Sequence, residues 1–299
     1  MLAQVSPLKR REWLAAAIFL TPNMIGLVVF IVIPVIAGFV ISFTDWDMLS
    51  TPEFIGMDNY VELLTDDPLF WLTLKNTIVY SLFVIPGSIV VSLALALALN
   101  TRIKGVGIYR TIYFLPYISS TIAISLVWKW IMHPDFGILN GFLSVFGVPK
   151  LGWLQDRSMA LFSVALVAIW HSAGYNMTIF LAGLKGIPQS YYEAAEIDGA
   201  SYWQRFRHIT LPLLTPTLFF VLIISLIGSF QVFNLVYIMT EGGPGNSTQV
   251  YVYYLWENAF SFFRMGYASA MAYILFLIML IITLFQVRLL GRRVNYDIA

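Results

Sequence analysis

Six long runs of apolar residues dominate the chain, and none of them contains an aspartate or a glutamate. Each run is at least as long as the ~20 residues that an α-helix needs to cross a bilayer. Because a backbone surrounded by lipid must satisfy its own hydrogen bonds, such runs fold as helices. Only 11% of the residues are charged, whereas a soluble domain carries about 25%. The sequence therefore predicts an all-α polytopic membrane protein with six transmembrane helices.

The first apolar run is too long for the core of a signal peptide, so we expect an uncleaved span. The predicted transmembrane domain covers residues 13–290, between an N-terminal segment, 1–12, and a tail, 291–299. The six spans are predicted at approximately 13–43, 72–99, 111–132, 159–184, 213–239 and 267–290.

Basic residues are distributed unevenly between the two ends of these spans. Twelve of the 17 lysines and arginines fall near the termini or in the loops after the second and fourth spans, whereas segment 44–70 carries only acidic charges. Cytoplasmic loops are enriched in lysine and arginine. The pattern predicts a multi-pass plasma-membrane protein with both termini cytoplasmic. We also expect a short surface helix near residues 60–64 and an apolar segment, 138–146, in the interface on the outer side.

The loop of residues 189–212 is long and polar and lies between two spans. Ser190 and Glu193 have the spacing of a capping box, which predicts a helix beginning there. Gly199 suits the position just past its end, where positive φ is favourable. Ser201 and Gln204 repeat the box and predict a second short helix. These residues alone fit either a docking surface for a partner or an amphipathic linker at the membrane surface.

Motifs for catalysis and for cofactor binding are missing from the sequence. There is no GxxxxGK[ST] loop for ATP and no HExxH, and the three histidines lie in three different segments. The absence of cysteine excludes disulfides and thiol catalysis. We expect no catalytic residue, no metal site and no cofactor in this chain, and nucleic acid is not among the expected partners.

Uncharged polar residues do enter the third, fourth and fifth spans. Carriers driven by protons or sodium ions usually keep an ionisable group in the membrane, so the lack of carboxylates weakens that alternative. Hydroxyl, amide and aromatic side chains are the types that bind sugars, although small polar residues also pack helices together. The candidates for a solute pathway from residue type are Tyr117, Thr121, His171, Ser172, Tyr175, Asn176, Ser225, Ser229 and Gln231.

The run Glu193-Ala194-Ala195, followed after three residues by Gly199 and after nine more by Ile209-Thr210-Leu211-Pro212, resembles the EAA loop of the permease subunits of bacterial ABC importers. The resemblance extends over essentially the whole chain. It is to the carbohydrate-uptake branch, and to the MalF- and UgpA-like member of its two permeases, with a supporting stretch at Thr240-Glu241-Gly242-Gly243-Pro244. It implies the type I importer, or MetI-like, permease fold.

The resemblance also implies a function without enzymatic activity in this chain. The permease would move a sugar or sugar-like solute by alternating access, together with a second permease, two ATPase subunits that hold ATP and Mg, an extracytoplasmic solute-binding protein and membrane lipids. The alternative is a secondary carrier or another ATP-independent membrane transporter. The implied coupling residues are Glu193, Ala194, Ala195, Asp198, Gly199, Ile209, Leu211 and Pro212. Laid against the maltose permease, its sugar-contacting positions fall on Tyr117, Thr121, His171, Ser172, Tyr175, Ser225, Ser229 and Val232.

Overall fold

The computed structural model describes residues 7–101 and 104–290. They form two units, of which the first comprises residues 7–66 and 257–275 and the second the remaining described residues. The tail predicted at 291–299 and the first six residues of the N-terminal segment predicted at 1–12 lie outside the described residues.

The first unit begins with a long apolar helix. Helix α1 (Pro7–Leu27) continues through a π-helical turn, Val28–Val32, into α2 (Ile33–Ile41). The apolar stretch Arg11–Ile41 is long enough to cross a membrane, so the first predicted span is confirmed, although the helix already begins at Pro7.

A small, tightly bonded segment follows α2 in the same unit. Strands β1 (Thr44–Asp45) and β2 (Glu53–Phe54) pair antiparallel, and α3 (Asp58–Val61) continues as a π-helical turn to Asp66. The helix predicted near residues 60–64 is thus confirmed. Asn59 is buried and its Nδ2 donates to the carbonyls of Ser42 and Thr44, at 3.0 and 2.9 Å.

The second unit opens with α4 (Pro68–Leu99), which confirms the second predicted span. Its N-cap is Asp67, whose carboxylate accepts the amide N–H of Leu69 and Phe70. At the other end, the Nη2 of Arg110 donates to the carbonyl of Leu99 at 3.1 Å, which satisfies one of the free carbonyls that end every helix.

The third predicted span, at 111–132, falls on two helices with a sharp bend between them. Helices α5 (Val106–Ile118) and α6 (Thr121–Ile131) meet at 97°. Ser119 and Ser120 between them have extended ψ values of 154° and 121°. The hydroxyl of Ser119 donates to the Leu115 carbonyl at 2.8 Å, the kind of local bond by which serine competes with the helical backbone.

Helix α7 (Ile138–Val145) lies between α6 and the fourth span, α8 (Ala160–Gly186), which confirms the prediction of a helix at 159–184. Helix α8 is the most buried span of this unit, with 56% of its most apolar stretch covered, against 28% for α4. A Cβ at Gly174 would lie 1.8 Å from the carbonyl oxygen of Tyr113 on α5. Glycine therefore permits backbone contact between α5 and α8, as small residues commonly do in membrane bundles.

After α8 the chain forms α9 (Gln189–Ile197), α10 (Tyr202–Arg205) and α11 (Leu211–Leu213), then enters α12 (Thr215–Phe230). The fifth span was predicted to run to residue 239, but α12 ends at Phe230 and α13 (Asn234–Met239) is separate. The single-helix prediction is therefore wrong. The backbone leaves helical geometry at Gln231, with φ −97° and ψ 15°, and Phe233 has φ −138°. At about 1.5 Å per residue, α12 alone spans about 24 Å, less than the ~30 Å of a bilayer core.

The last helices are α14 (Tyr251–Trp256) and α15 (Met265–Leu290), and α15 confirms the sixth predicted span. Four continuous helices of the described residues are thus long and apolar enough to cross a membrane. Two bent pairs, α5 with α6 at 97° and residues 202–213 with α12 at 65°, bring the number to six if each pair is one span.

Candidate functional site

A cavity of about 380 Å³, largely apolar but with several polar side chains, opens between α4, α5, α6, α8 and α12 and reaches the break before α13. All ten residues that the sequence suggested for a solute pathway line it, so the structure brings them together; their contact with a solute stays a prediction. These residues are Tyr117, Thr121, His171, Ser172, Tyr175, Asn176, Ser225, Ser229, Gln231 and Val232.

A stacked pair of tyrosines forms one wall of the cavity. Tyr117, next to the last residue of α5, and Tyr175 on α8 have ring centroids 4.3 Å apart and an angle of 13° between ring planes. The imidazole of His171 lies one helical turn before Tyr175, with its centroid 5.8 Å from that of Tyr117. Because Gly174 lets the two helices touch, these rings meet at the same level.

Hydrogen bonds fix the polar groups on α8 and α12. The amide of Asn176 donates to the hydroxyl of Ser225 at 3.4 Å and so links the two helices. Ser172 and Ser229 donate to carbonyls of their own helices, both at 2.9 Å. Their oxygens therefore remain able to accept a hydrogen bond.

His171 also has unused bonding capacity. Its Nε2 is buried, and within the described part of the chain it has no hydrogen-bond partner. A buried polar atom without a partner costs about 1–3 kcal/mol. The imidazole therefore favours a bound group that can exchange a hydrogen bond with it.

The cavity is electrically neutral. As far as the structure describes the chain, its lining contains no aspartate, glutamate, lysine or arginine. In the same residues, no cluster of three or more histidine, aspartate or glutamate side chains could hold a metal ion. Such a lining suits a neutral, hydroxyl-rich solute better than an ion, because a buried ion without a partner is strongly disfavoured.

Helix α4 contributes residues that the sequence analysis missed. Tyr80, Val84 and Ser88 line the cavity beside the predicted ten. A signal was present in the sequence, because the polar residues of this span recur at short intervals and form one buried stripe. The stripe consists of Thr73, Asn76, Thr77, Tyr80, Ser81, Ser88 and Ser92.

The loop of residues 189–212 begins differently from the prediction. Helix α9 starts at Gln189 with Pro188 as its N-cap and without a side-chain cap, so the capping box predicted from Ser190 and Glu193 is wrong. Pro188 has extended ψ, 133°, and proline cannot donate a backbone hydrogen bond. Helix α8 therefore stops before it, and α9 begins immediately after it.

The remaining local predictions for this loop are confirmed. Helix α9 ends at Ile197 and Gly199 has φ +75°. The N–H of Gly199 donates to Glu196 at 3.1 Å and that of Ala200 to Ala195 at 2.8 Å, which is the bonding pattern of a Schellman motif. The capping box of Ser201 and Gln204 is present in full.

Two contacts between side chains hold the loop together. Arg205 forms an ion pair with Glu196 across the turn. The hydroxyl of Tyr192 lies 3.0 Å from that of Thr210. The loop is therefore a folded unit in which α9 is joined at two points to the residues that follow the turn.

Exposure divides the eight coupling candidates into two sets. Ile209, Leu211 and Pro212 are half-buried, and Ile209 packs against the core formed by α4 and α8. The other five lie on α9 and its turn. Ala195 is half-buried, and the remaining four are exposed: Glu193, Ala194, Asp198 and Gly199.

Large apolar side chains beside this second set were also missed by the sequence analysis. Ile197, Tyr202 and Trp203 are 88, 68 and 64% exposed. The three lie within residues 197–203, and large exposed apolar side chains grouped on a surface mark sites of protein association. Three bulky residues in a polar loop could have served as the signal.

Comparisons with known proteins agree with this arrangement. Residues 88–296 match the family model described as binding-protein-dependent transport system inner membrane component. The chain is 41% identical over 292 residues to the probable ABC transporter permease protein YesP of Bacillus subtilis, covering 96% of this chain and 94% of that protein. It is 34% identical over 280 residues to the trehalose/maltose transport system permease protein MalF of Thermococcus litoralis, covering 93% and 94%.

A solved structure is similar over nearly the same length. It is the crystal structure of a bacterial alginate ABC transporter in complex with an alginate pentasaccharide-bound periplasmic protein. One of its chains matches with a TM-score of 0.84 and 25% sequence identity, and the match covers 96% of both chains.

Proposed function

The chain belongs to the family of binding-protein-dependent transport system inner membrane components, and on this premise we propose that its cavity is part of the path of a sugar. The chain is the permease of a binding-protein-dependent ABC importer of sugars or oligosaccharides. It is a multi-pass inner membrane protein, and ATP hydrolysis resides in a separate subunit. The observation that carries the proposal is the neutral cavity with its hydroxyl, amide and imidazole groups and its stacked tyrosines.

The chemistry of the lining supports a sugar as the solute. Sugar hydroxyls both donate and accept hydrogen bonds, and the serine oxygens and the free Nε2 of His171 offer matching groups. Tyr117 and Tyr175 supply aromatic surface for the apolar face of a sugar ring. Polar groups at few points in a largely apolar pocket are typical of small-molecule sites.

The loop of residues 189–212 is proposed to dock on the ATPase subunit. Its docking surface would consist of α9 together with the exposed Ile197, Tyr202 and Trp203, with Glu193 and Asp198 to orient the partner. Ile209, Leu211 and Pro212 would anchor the loop to the membrane helices.

The connections of the loop suggest how movement reaches the cavity. Helix α9 follows α8 after Ile187 and Pro188, and α11 leads into α12. Both α8 and α12 line the cavity. A shift of the docked loop as one body would therefore move two cavity walls, which is the requirement for alternating access.

The proposed assembly contains a second permease, two ATPase subunits that bind ATP and Mg, and an extracytoplasmic solute-binding protein. The similar alginate transporter was crystallised with a periplasmic protein bound to it, which supports the last of these. The distribution of basic residues favours a cytoplasmic position for both termini and for the 189–212 loop.

The proposal is tested by sugar uptake into proteoliposomes that hold the assembled importer and its binding protein. Radiolabelled maltose, trehalose and lactose serve as probes, and ATP hydrolysis is measured in parallel. Tyr175→Leu should abolish uptake of the transported sugar, whereas Leu166→Ala, at a 55% exposed position of the same helix, should leave it unchanged. Equal uptake by both variants would exclude the cavity as the path.

A further inference from the structure

Helix α7 lies outside both sites and presents an apolar face that no described residue covers. Ile138, Phe142, Val145 and Phe146 are 58, 61, 79 and 68% exposed. Their spacing of i, i+4, i+7 and i+8 places them on one side of the helix. The charged residues nearest in sequence, Asp135 and Lys150, lie beyond the two ends of this stripe and pair with each other at 3.4 Å.

The rotation of α7 about its own axis is fixed. Asn140 on its inner side is 7% exposed. Its Nδ2 donates to the carbonyls of Pro134 and Leu151, both at 2.9 Å, and its Oδ1 accepts from the Leu151 amide at 3.3 Å and from Trp153 Nε1 at 2.9 Å. An asparagine amide offers two donors and two acceptor positions, and all four are used. These bonds hold Asn140 on the inner side of α7 and the apolar stripe on the outer side.

The position of α7 along the membrane helices is fixed as well. Leu139 packs against the core cluster that contains Met132, just after α6, and Leu161, in the first turn of α8. The turn that leads into α7 is tight, because a Cβ at Gly137 would lie 2.3 Å from the carbonyl oxygen of His133. Helix α7 thus lies level with the ends of two spans, at the opposite end of α8 from α9.

The neighbouring ends of those spans also expose apolar side chains. Val127 and Trp130 on α6 and Phe162 on α8 are 55, 51 and 40% exposed. Apolar side chains exposed at the ends of candidate spans face lipid wherever no partner subunit covers them. A helix held at this level, with an apolar stripe on one side and the polar Asn140 and Ser144 off the stripe, is amphipathic, as a helix in the membrane interface is.

We infer that α7 lies in the boundary between the bilayer and water, with Ile138, Phe142, Val145 and Phe146 in contact with the acyl chains of phospholipids. Helix α7 fixes the depth of α6 and α8 in the bilayer, and both of these helices wall the cavity. This role does not depend on which solute the cavity carries.

Site-directed spin labelling tests the inference directly, because the chain has no cysteine. Single variants Phe142→Cys, Val145→Cys and Ser144→Cys are labelled with a nitroxide in the assembled importer, in nanodiscs of phosphatidylcholine and phosphatidylglycerol. Collision rates with oxygen, which concentrates in lipid, and with a water-soluble nickel chelate are measured by power saturation. At 142 and 145 the collision rate with oxygen should exceed that with the nickel chelate several-fold. At 144, which is exposed but off the stripe, the collision rate with the nickel chelate should be the higher one.

Two results would overturn the inference. Preference for the nickel chelate at 142 and 145 would place the stripe in water. Immobilised nitroxides shielded from both reagents would show that a protein subunit covers it. Asn140→Ala adds a check on the fixed rotation: the contrast between 142 and 144 should shrink in this background, and an unchanged contrast would contradict the positioning role of Asn140.

Discussion

The cavity and the 189–212 loop are built in opposite ways, although α8 and α12 connect them. The cavity is made of residues far apart in sequence, brought together where Gly174 lets α5 and α8 touch. The loop is made of neighbours in sequence, held by the Schellman motif at Gly199 and the ion pair of Glu196 with Arg205. In the proposed roles, selection of the solute would depend on packing between helices, whereas coupling to the ATPase would depend on local backbone geometry.

The largest effect is expected at Gly174. A Cβ there would lie 1.8 Å from the carbonyl oxygen of Tyr113, and backbone cannot move aside as a side chain can. We expect Gly174→Ala to destabilise the permease by about 3 kcal/mol, at the upper end of overpacking effects, and to lose the cavity with it. The melting temperature of the purified importer measures this. Gly228→Ala is the control, since nothing lies within 4 Å of its Cβ position; equal melting of both variants would contradict the packing argument.

The next largest effect concerns the docking surface. Trp203 is 64% exposed in this chain, and a tryptophan buried in an interface commonly contributes about 2 kcal/mol or more. Trp203→Ala should therefore weaken binding of the ATPase subunit about 30-fold. The affinity of the importer for its sugar should not change. Titration of the ATPase onto nanodisc-held permease measures the change. The Trp130→Ala variant, changed at a 51% exposed position on α6, should bind the ATPase subunit normally. Equally weak binding by both variants would contradict the assignment of Trp203 to the docking surface.

A substitution at Gly199 should distinguish docking of the ATPase from coupling of ATP hydrolysis to uptake. Its φ of +75° is disfavoured for a β-branched residue, and the space around its Cβ position is open. The expected strain of about 1–3 kcal/mol comes from the backbone alone. Gly199→Val should leave the importer assembled but lower sugar uptake per ATP hydrolysed. Gly199→Asn is the matched control, because asparagine tolerates this region. Wild-type coupling in the valine variant would show that the turn is not needed.

A substitution at His171 should change the KM for sugar uptake and leave binding of the ATPase subunit unchanged. Loss of one hydrogen bond to a bound sugar is worth about 1 kcal/mol, so His171→Phe should raise the KM for uptake about 5-fold with ATPase binding unchanged. Leu166→Phe introduces the same ring at a 55% exposed position of α8 and should change nothing. An unchanged KM in the histidine variant would exclude its contact with the solute.

The smallest effect is expected for the ion pair in the loop. The side chains of Arg205 and Glu196 are 23% and 60% exposed, and pairs open to solvent contribute about 0.2–1 kcal/mol. Glu196→Gln should reduce coupling no more than about 5-fold. A complete loss of coupling would mean that Glu196 contacts the ATPase itself.

The backbone of the loop after Ile197 could be predicted from the sequence more closely than the walls of the cavity. The loop is held by neighbours in sequence, whereas the cavity depends on packing between distant helices. Gly199 and the box of Ser201 with Gln204 act over a few residues, so their spacing predicts the turn. Two local features were not predicted. Pro188, and not Ser190, is the N-cap of α9, and the chain bends at Ser119 and Ser120 within the third span. The contribution of Tyr80 and Ser88 was missed because it depends on which face of α4 packs inward.

The decisive experiment is sugar uptake measured together with ATP hydrolysis in proteoliposomes from which one component at a time is left out. We expect uptake only when this permease, its partner permease, the ATPase, the binding protein and ATP are all present. Uptake by liposomes that contain this chain alone, without ATP, would contradict the assignment of this chain as a permease driven by a separate ATPase.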